Sequence, residues 1–409
     1  MSGGSGSGEA RRASATAAGR ALSTRQSAQS VAGSRIAIVN WRDPWHPEAG
    51  GAEVYAWAMA AGMTGRGARV CYLTARAPGQ ASRERRDGVD IVRRGGRLTV
   101  YPAVLGWLLL RRRSFDVVLD CQNGIPFFTP WVLPRRVPVL CVMHHVHDSQ
   151  FGVHFSPLVA ALGRLLEGPV ARLSYRRKEC VAVSQSTVCA MRERLRWTGP
   201  VHIVPNGLAG ESADLAPIER PDSGRLPEPV LSWVGRLVAH KRAERVIDVA
   251  ARLGVTIEVI GRGPAGDSLA AAVAAGGLGS QVRLLGYLSE EDKRAAVAAS
   301  VLHLNTSQGE GWGLCVLEAA ALGVPTVAYD VDGLRDAVRH GETGWLVRAG
   351  ERIEDVTERA LKELADPARR TEVAAACRAW AGQFDWDHSV ALMTELIEAA
   401  LRRGRASRS

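Results

Sequence analysis

From residue 35 onward, short runs of β-branched and other apolar residues alternate with longer stretches of mixed polarity. The first series of short runs covers 36–40, 69–74, 89–93, 116–121, 137–143, 180–184 and 201–204. Runs this short and this continuously apolar suit parallel strands buried on both faces, with the stretches between them forming the covering helices. The alternation stops at Pro205-Asn206-Gly207, and residues 209–229 bring four prolines and no apolar periodicity. Such a stretch reads as a linker. A second series follows at 230–234, 256–260, 282–285, 301–304 and 326–329, and residues 353–401 read as mostly helical, with a break at Phe384-Asp385-Trp386. The pattern predicts an α/β chain of two doubly wound domains. We set them at 35–207 and 229–384, joined by a linker over 208–228. A helix over 385–401 is expected to cross back to the first domain, with a disordered tail at 1–34 and a basic tail at 402–409.

Length and composition fit this division. A chain of 409 residues exceeds one typical core, and 46% apolar with 23% charged residues is an ordinary globular balance. No apolar run approaches the length of a membrane span, because the longest candidate, 101–110, ends at Arg111-Arg112-Arg113. Seven scattered cysteines without a C-x-x-C pair indicate neither a disulfide framework nor a zinc ribbon, so a cytoplasmic setting is expected. Charge changes the picture more. Of the net +10, residues 1–207 carry 28 Lys+Arg against 13 Asp+Glu, and the remainder is net acidic. The first half is therefore expected to face something anionic: a membrane surface, a phosphorylated substrate or nucleic acid. Part of the excess lies in residues 1–34, a Ser, Gly, Ala and Arg segment without the apolar stretch of a secretory signal.

Several motifs carry candidate chemistry. Gly261-Arg262-Gly263-Pro264-Ala265-Gly266 follows a strand and matches G-x-G-x-x-G, the dinucleotide fingerprint. That fingerprint needs a carboxylate at the end of the next strand, where this chain has Leu285-Gly286-Tyr287, so a tight strand-to-helix turn is the preferred reading. In the segment SQGEGWGLCVLEAAALG, Glu310 and Gly311-Trp312-Gly313 precede a helix expected over 314–322 that carries Glu318. Backbone N–H groups at such a helix start, from Leu314 on, can hold a diphosphate or sugar hydroxyls, and Glu318 can accept two hydroxyl hydrogen bonds. The plain alternative is two solvated glutamates. Val234-Gly235-Arg236-Leu237 with Lys241 makes a cationic clamp for phosphate oxygens at a strand end, or an ordinary basic helix start. Gly50-Gly51 before an apolar helix allows close backbone approach to a ligand, or marks a simple turn. His144-His145-Val146-His147-Asp148 follows the fifth expected strand. Consecutive side chains leave a strand on opposite sides, which argues against a metal and for a histidine that donates to a substrate hydroxyl. The stretch YPAVLGWLLLRRRSF couples Trp107 to three arginines and reads either as an interfacial patch for anionic lipid or as a core helix with a basic end.

Taken together the chain resembles the retaining glycosyltransferases of family 4. The likeness runs from about residue 35 to 401. It is carried by GGAE, the histidine after the fifth strand, VAVSQST, VHIVPNG, VGRLVAHK, VIGRGP, VRLLGYLSEED and EGWGLCVLEAAALGVPTVAYDVDGLRDAVRHGETGWLV, in this order. It implies the GT-B fold, two Rossmann-like domains facing across a cleft, and a nucleoside diphosphate sugar as co-substrate with no metal or other cofactor. It also implies roles. Arg236 and Lys241 would bind the donor diphosphate, with Gly50, Gly51, Gly235, Gly261 and Tyr287 around the donor. Glu318 would hold the ribose, and Glu310 with the backbone of Gly311, Trp312, Gly313 and Leu314 would grip the sugar. His144 would sit near the transferred sugar, and His145 and His147 on the acceptor side. Two departures stand out: Asn206-Gly207 continues without the aspartate the family often has, and Val331-Asp332-Gly333 replaces its common Gly-Gly.

The expected activity is transfer of a hexose-like sugar, with retention, to a hydroxyl of a lipid-linked, phosphorylated or natural-product acceptor. An anionic membrane surface is an expected further partner, at the inner face, and nucleic acid is not. A catalytically silent nucleotide-sugar binder is the alternative, followed by a basic nucleic-acid-binding protein, which the chain's lack of aromatic platforms disfavours.

Overall fold

The computed structural model describes residues 31–148, 151–154, 156–208 and 229–406. Most of the expected N-terminal tail, all of the expected linker beyond Leu208 and the last three residues of the basic tail lie outside these.

The first sheet has eight strands: β1 (Arg35–Val39), β2 (Arg69–Thr74), β3 (Arg83–Arg86), β4 (Val89–Arg93), β5 (Val117–Asn123), β6 (Val139–His145), β7 (Glu179–Ala182) and β8 (Val201–Ile203). Their order is β3-β4-β2-β1-β5-β6-β7-β8. β3 is the one strand of this sheet without an apolar run. It pairs antiparallel with β4 at the sheet edge. The connecting Asp87 and Gly88 both have positive φ, 46° and 78°, as a two-residue hairpin turn requires.

The second sheet is wholly parallel: β9 (Val230–Val234), β10 (Thr256–Ile260), β11 (Val282–Gly286), β12 (Leu302–Asn305), β13 (Thr326–Tyr329) and β14 (Gly344–Val347), in the order β11-β10-β9-β12-β13-β14. This is the doubly wound order in which the winding reverses between the first and fourth strands, here β9 and β12. Ligands of such sheets sit beyond the carboxyl ends at that reversal. The loops that follow β9 and β12 are therefore where chemistry is sought.

The chain divides into two compact units. One comprises residues up to Val142, Leu173–Val181 and the residues from Asp387; the other comprises Met143–Arg172 and Ala182–Trp386. In the first, buried Asp120 accepts hydrogen bonds from the Phe127 and Thr129 amides (both 3.0 Å), the Thr129 hydroxyl and the Tyr175 hydroxyl. These four donors satisfy a carboxylate that burial would otherwise disfavour. The helix Trp386–Ala406 belongs to the same unit from Asp387 on. Its Val390 lies against Gly62, where any β-carbon would collide with it, and Arg403 reaches Glu179 at 2.8 Å. Among the described residues no helix is long and apolar enough to cross a membrane.

Candidate functional site

The loop after β9 is locked to the loop after β10 through backbone contacts. Gly235 donates to the Ile260 carbonyl (3.0 Å), and Leu237 to that of Arg262 (2.9 Å). Gly261, at φ +141°, has no room for a side chain, since a β-carbon there would overlap the Gly235 carbonyl oxygen. Gly263 is confined in the same way by the Leu237 carbonyl. The first two glycines of the G-x-G-x-x-G run thus serve a close approach between two chain segments, in line with the tight-turn reading. The β9 loop ends in a 3-10 turn, Ala239–Lys241.

That turn receives the loop after β12. Thr306 Oγ1 donates to the Lys241 carbonyl (2.7 Å) and itself accepts from the indole of the buried Trp233 (2.9 Å), while the Gln308 amide donates to the His240 carbonyl (2.9 Å). This stitching brings the Lys241 ammonium into an ion pair with Glu310 Oε1, and Ser307 Oγ donates to the same oxygen at 2.7 Å. Both side chains of the pair are 16% exposed. Burial alone would raise the Glu310 pKa, but the charge and hydrogen bonds of Lys241 and Ser307 outweigh it and hold the carboxyl below its usual value. Lys241 is pushed down by burial and more than restored by Glu310, so it ends above its usual value. Both groups are charged at neutral pH.

The backbone around Glu310 is equally constrained. Its amide donates to the Asp332 carbonyl (3.0 Å). A β-carbon on Gly311 would collide with the His144 carbonyl oxygen, and one on Gly333 (φ +77°) with that of Glu310. The Gly333 amide donates to Ser186 Oγ (2.6 Å), and the Ser186 amide and hydroxyl are both held by Asp336. The indole of Trp312 is buried edge-on to Phe384, with ring centroids 5.1 Å apart, so that side chain serves packing. Gly313, at φ +84°, opens the helix Leu314–Ala321 without a side-chain cap. The amides of that first turn are suited to an anion. One turn along, Glu318 Oε2 lies 3.2 Å from Lys293 Nζ, which also pairs with Glu290 at 2.7 Å. Burial raises the Glu318 pKa and Lys293 offsets this only in part. Tyr287, just past β11, is largely exposed.

The histidines are placed differently from expectation. β6 runs two residues further than the apolar run, so His144 and His145 close the strand and only His147 follows it. Burial, aided by His147, pushes the His144 pKa down to about 3. Burial likewise lowers His145 well below its usual value, opposed in part by a hydrogen bond with the Glu310 backbone. Both rings are neutral at pH 7. The His147 amide donates to buried Glu167 at 2.7 Å.

In the other unit, Gly50 precedes the helix Gly51–Gly65, and its amide donates to Glu53 Oε2 (2.7 Å). GGAE therefore begins a helix whose own glutamate caps it. Trp107 is half-buried beside Phe115 and beneath the Arg111 guanidinium, 4.5 Å from the ring centroid. Ser307, Lys293, Ser186 and Asp336 were not singled out from the sequence. Ser307 had a signal, standing three residues before Glu310 in the quoted segment, whereas Lys293 had none.

Two doubly wound, mostly parallel sheets, with a lysine–glutamate pair and a glycine-led helix start at the reversal of the second, place the chain in the GT-B class of glycosyltransferases. The sequence matches the model for Glycosyltransferase Family 4 over residues 49–209 and that for Glycosyl transferases group 1 over residues 217–380, and the chain belongs to this family. It is 35% identical over 175 residues to the D-inositol 3-phosphate glycosyltransferase of Rhodococcus erythropolis, covering 40% of this chain and 39% of the relative. The enzyme of that name from Mycobacterium avium is 35% identical over 186 residues, covering 44% and 42%. The chain thus spans about two fifths of the length of the curated relatives it matches. Among solved structures, sucrose-phosphate synthase from Thermosynechococcus elongatus superposes with a TM-score of 0.74 at 18% identity, over 92% of this chain and all of the other. Anabaena HepE in complex with UDP and glucose gives 0.68 at 19%, over 90% and 100%. These likenesses carry the fold.

Proposed function

We propose that the protein transfers a hexose-like sugar from a nucleoside diphosphate donor to an acceptor hydroxyl, with retention of anomeric configuration. The observation that carries this reading is the Lys241–Glu310 ion pair, braced by Ser307 beside the uncapped start of the helix Leu314–Ala321. Arg236, Lys241 and the helix-start amides, including Leu314, would take the diphosphate and stabilise charge on the leaving group. Glu310 and the backbone of Gly311, Trp312 and Gly313 hold the sugar. Glu318 holds the ribose, with Gly235, Gly261 and Tyr287 around the nucleotide and Gly50 and Gly51 allowing close approach of the first domain. His144, as a neutral ring, donates a hydrogen bond near the transferred sugar, and His145 and His147 lie on the acceptor side. No metal is required in this scheme, since cationic side chains and amides supply the positive charge.

In the working mechanism the bond from the anomeric carbon to the phosphate oxygen breaks, and the acceptor oxygen bonds to that carbon on the same face. The departing phosphate oxygen takes the acceptor proton. Trapping of a glycosyl-enzyme adduct, detected by mass spectrometry, would overturn this front-face route. The acceptor is a lipid-linked, phosphorylated or natural-product hydroxyl, reached in the cytoplasm or at the inner membrane face. The test of the donor site is thermal-shift binding of UDP, GDP, ADP, dTDP and NAD, with Lys241→Ala and Glu318→Ala as controls. A ligand at a hundred times its Kd adds about 2.7 kcal/mol. Stabilisation by one nucleoside diphosphate, lost in both variants, supports the assignment and identifies the base. Stabilisation by NAD alone, or by none, removes it.

A further inference from the structure

The helix Pro157–Leu165 is built the wrong way round for a helix at a water-facing surface. Its buried positions are both small, Ala160 and Gly163, the latter so close to its neighbour that a β-carbon would lie 2.7 Å from the Phe151 ring. Its large apolar residues face out: Leu158, Val159, Leu162 and Leu165 are 84, 49, 54 and 49% exposed. Positions 158, 162 and 165 fall on one stripe at helical spacing, with Val159 at its edge. Single exposed leucines are ordinary, but a contiguous stripe marks an interaction surface.

The charges around the stripe have one sign. Arg164 is exposed on the flank of the same helix, and half-buried Arg172 follows within the same unit. Glu167 is the sole acid between Ser156 and Lys178, and it is fully buried and bonded to the His147 amide. An apolar face set among cations, with no exposed acid, is complementary to anionic lipid. A second copy of the chain fits less well, because a two-fold contact centred on the stripe would bring two sets of flanking cations together with no exposed acid of this helix between them.

We infer that the helix Pro157–Leu165 is a membrane-docking face, lying at the boundary between headgroups and acyl chains of an anionic bilayer. This contact is additional to the one expected around Trp107, which packs beneath Arg111 while Leu110 beside it stays exposed. It deepens the proposed function by favouring its lipid-linked acceptor, and rests on that reading only in this respect.

The experiment is co-sedimentation of the full chain with phosphatidylcholine vesicles, with and without phosphatidylglycerol, at low and high salt. It compares wild type, Leu158→Glu/Leu162→Glu and Arg164→Glu. Wild type should sediment with the phosphatidylglycerol vesicles at low salt. The double variant should lose at least about tenfold in partitioning, and Arg164→Glu a smaller factor. Because all three residues are exposed, melting temperature and the nucleoside diphosphate shift should be unchanged, which separates loss of docking from loss of fold. Wild type that stays in the supernatant at low salt overturns the proposal, as does a double variant that sediments like wild type. So does a wild-type dimer that ignores vesicles and becomes monomeric in the double variant. Vesicle binding without any nucleoside diphosphate shift leaves the docking face standing and removes the enzymatic reading instead.

Discussion

Glu310 and Glu318 each sit beside a lysine, and burial pushes the pKa of both upward, yet they end on opposite sides of the ordinary value. Glu310 is 16% exposed, and a single oxygen takes both the Lys241 ammonium and the Ser307 hydroxyl. Glu318 is 42% exposed, and its lysine is shared with Glu290 at a shorter distance. The number of donors aimed at a carboxylate, more than its depth, decides whether its charge is held. On the proposed function the difference is useful. Glu310 is a fixed charge within a rigid loop, whereas Glu318 is a poised acceptor that hydroxyl groups can complete.

Four experiments probe this contrast, from the largest effect to the smallest. Lys241→Ala leaves Glu310 buried without its counter-charge and should cost about 4 kcal/mol, read by denaturant unfolding, with loss of the nucleoside diphosphate shift. A loss under about 1 kcal/mol would mean that the pair is not what holds the loop.

Acid titration comes next, and its onset belongs to neither glutamate. His303 is fully buried, with its Nδ1 3.2 Å from Ser232 Oγ, and burial, helped by Lys241, lowers its pKa to about 3. A histidine kept neutral in the fold but free to charge when unfolded removes stability as pH falls below about 6.5, at about 1.4 kcal/mol per pH unit. Between pH 6.5 and 5, His303→Gln should therefore recover about 2 kcal/mol of a pH-dependent loss that buried His144 and His145 share. With that background reduced, the carboxylates have opposite signs. The Glu310 contribution is complete above the usual carboxylate value and is lost only as pH falls through its depressed pKa. The penalty at Glu318 is present above its raised pKa and is relieved as pH falls toward the usual value.

Ser307→Ala should cost about 1 kcal/mol and shift Glu310 toward Glu318 in behaviour, visible as an earlier acid limb in the melting profile. Glu318→Gln should act the other way, raising the melting temperature by about 1 °C, since solvent already screens much of the group. Nucleotide affinity should fall about tenfold in the same variant. If stability and affinity fell together, Glu318 would brace the fold as Glu310 does and would not be a poised acceptor.

Much of this site was legible in the sequence because its residues lie at the ends of apolar strands. Val230–Val234 and Leu302–Asn305 are short, continuous runs, and the loops after them contain Arg236, Lys241 and Glu310. What escaped lies where pattern and structure part. β3 is Arg-Glu-Arg-Arg, an edge strand paired on one side only, so it needs no apolar residues; its Asp-Gly turn was the available signal. β14 is Gly-Trp-Leu-Val, only three apolar residues between a glycine turn and Arg348, with one β-branched residue to mark a strand. β6 outlasts its apolar run because His144 and His145 are buried as neutral rings. Lys293 reaches Glu318 only because the helix Glu290–Ala299 returns along the sheet, a contact that spacing along the chain does not encode.

The helix Trp386–Ala406 has a consequence for how the protein is made. The unit that contains β1 also contains the residues from Asp387, which leave the ribosome only after every strand of the second sheet. Val390 covers Gly62, and Thr394 meets Met63. Until Val390 and Thr394 have been synthesised, that side of the helix Gly51–Gly65 stands uncovered, while most of the second unit can already be packed. Of the two units, the one begun earlier is completed later, so this surface must wait in a crowded cell while the second unit is made.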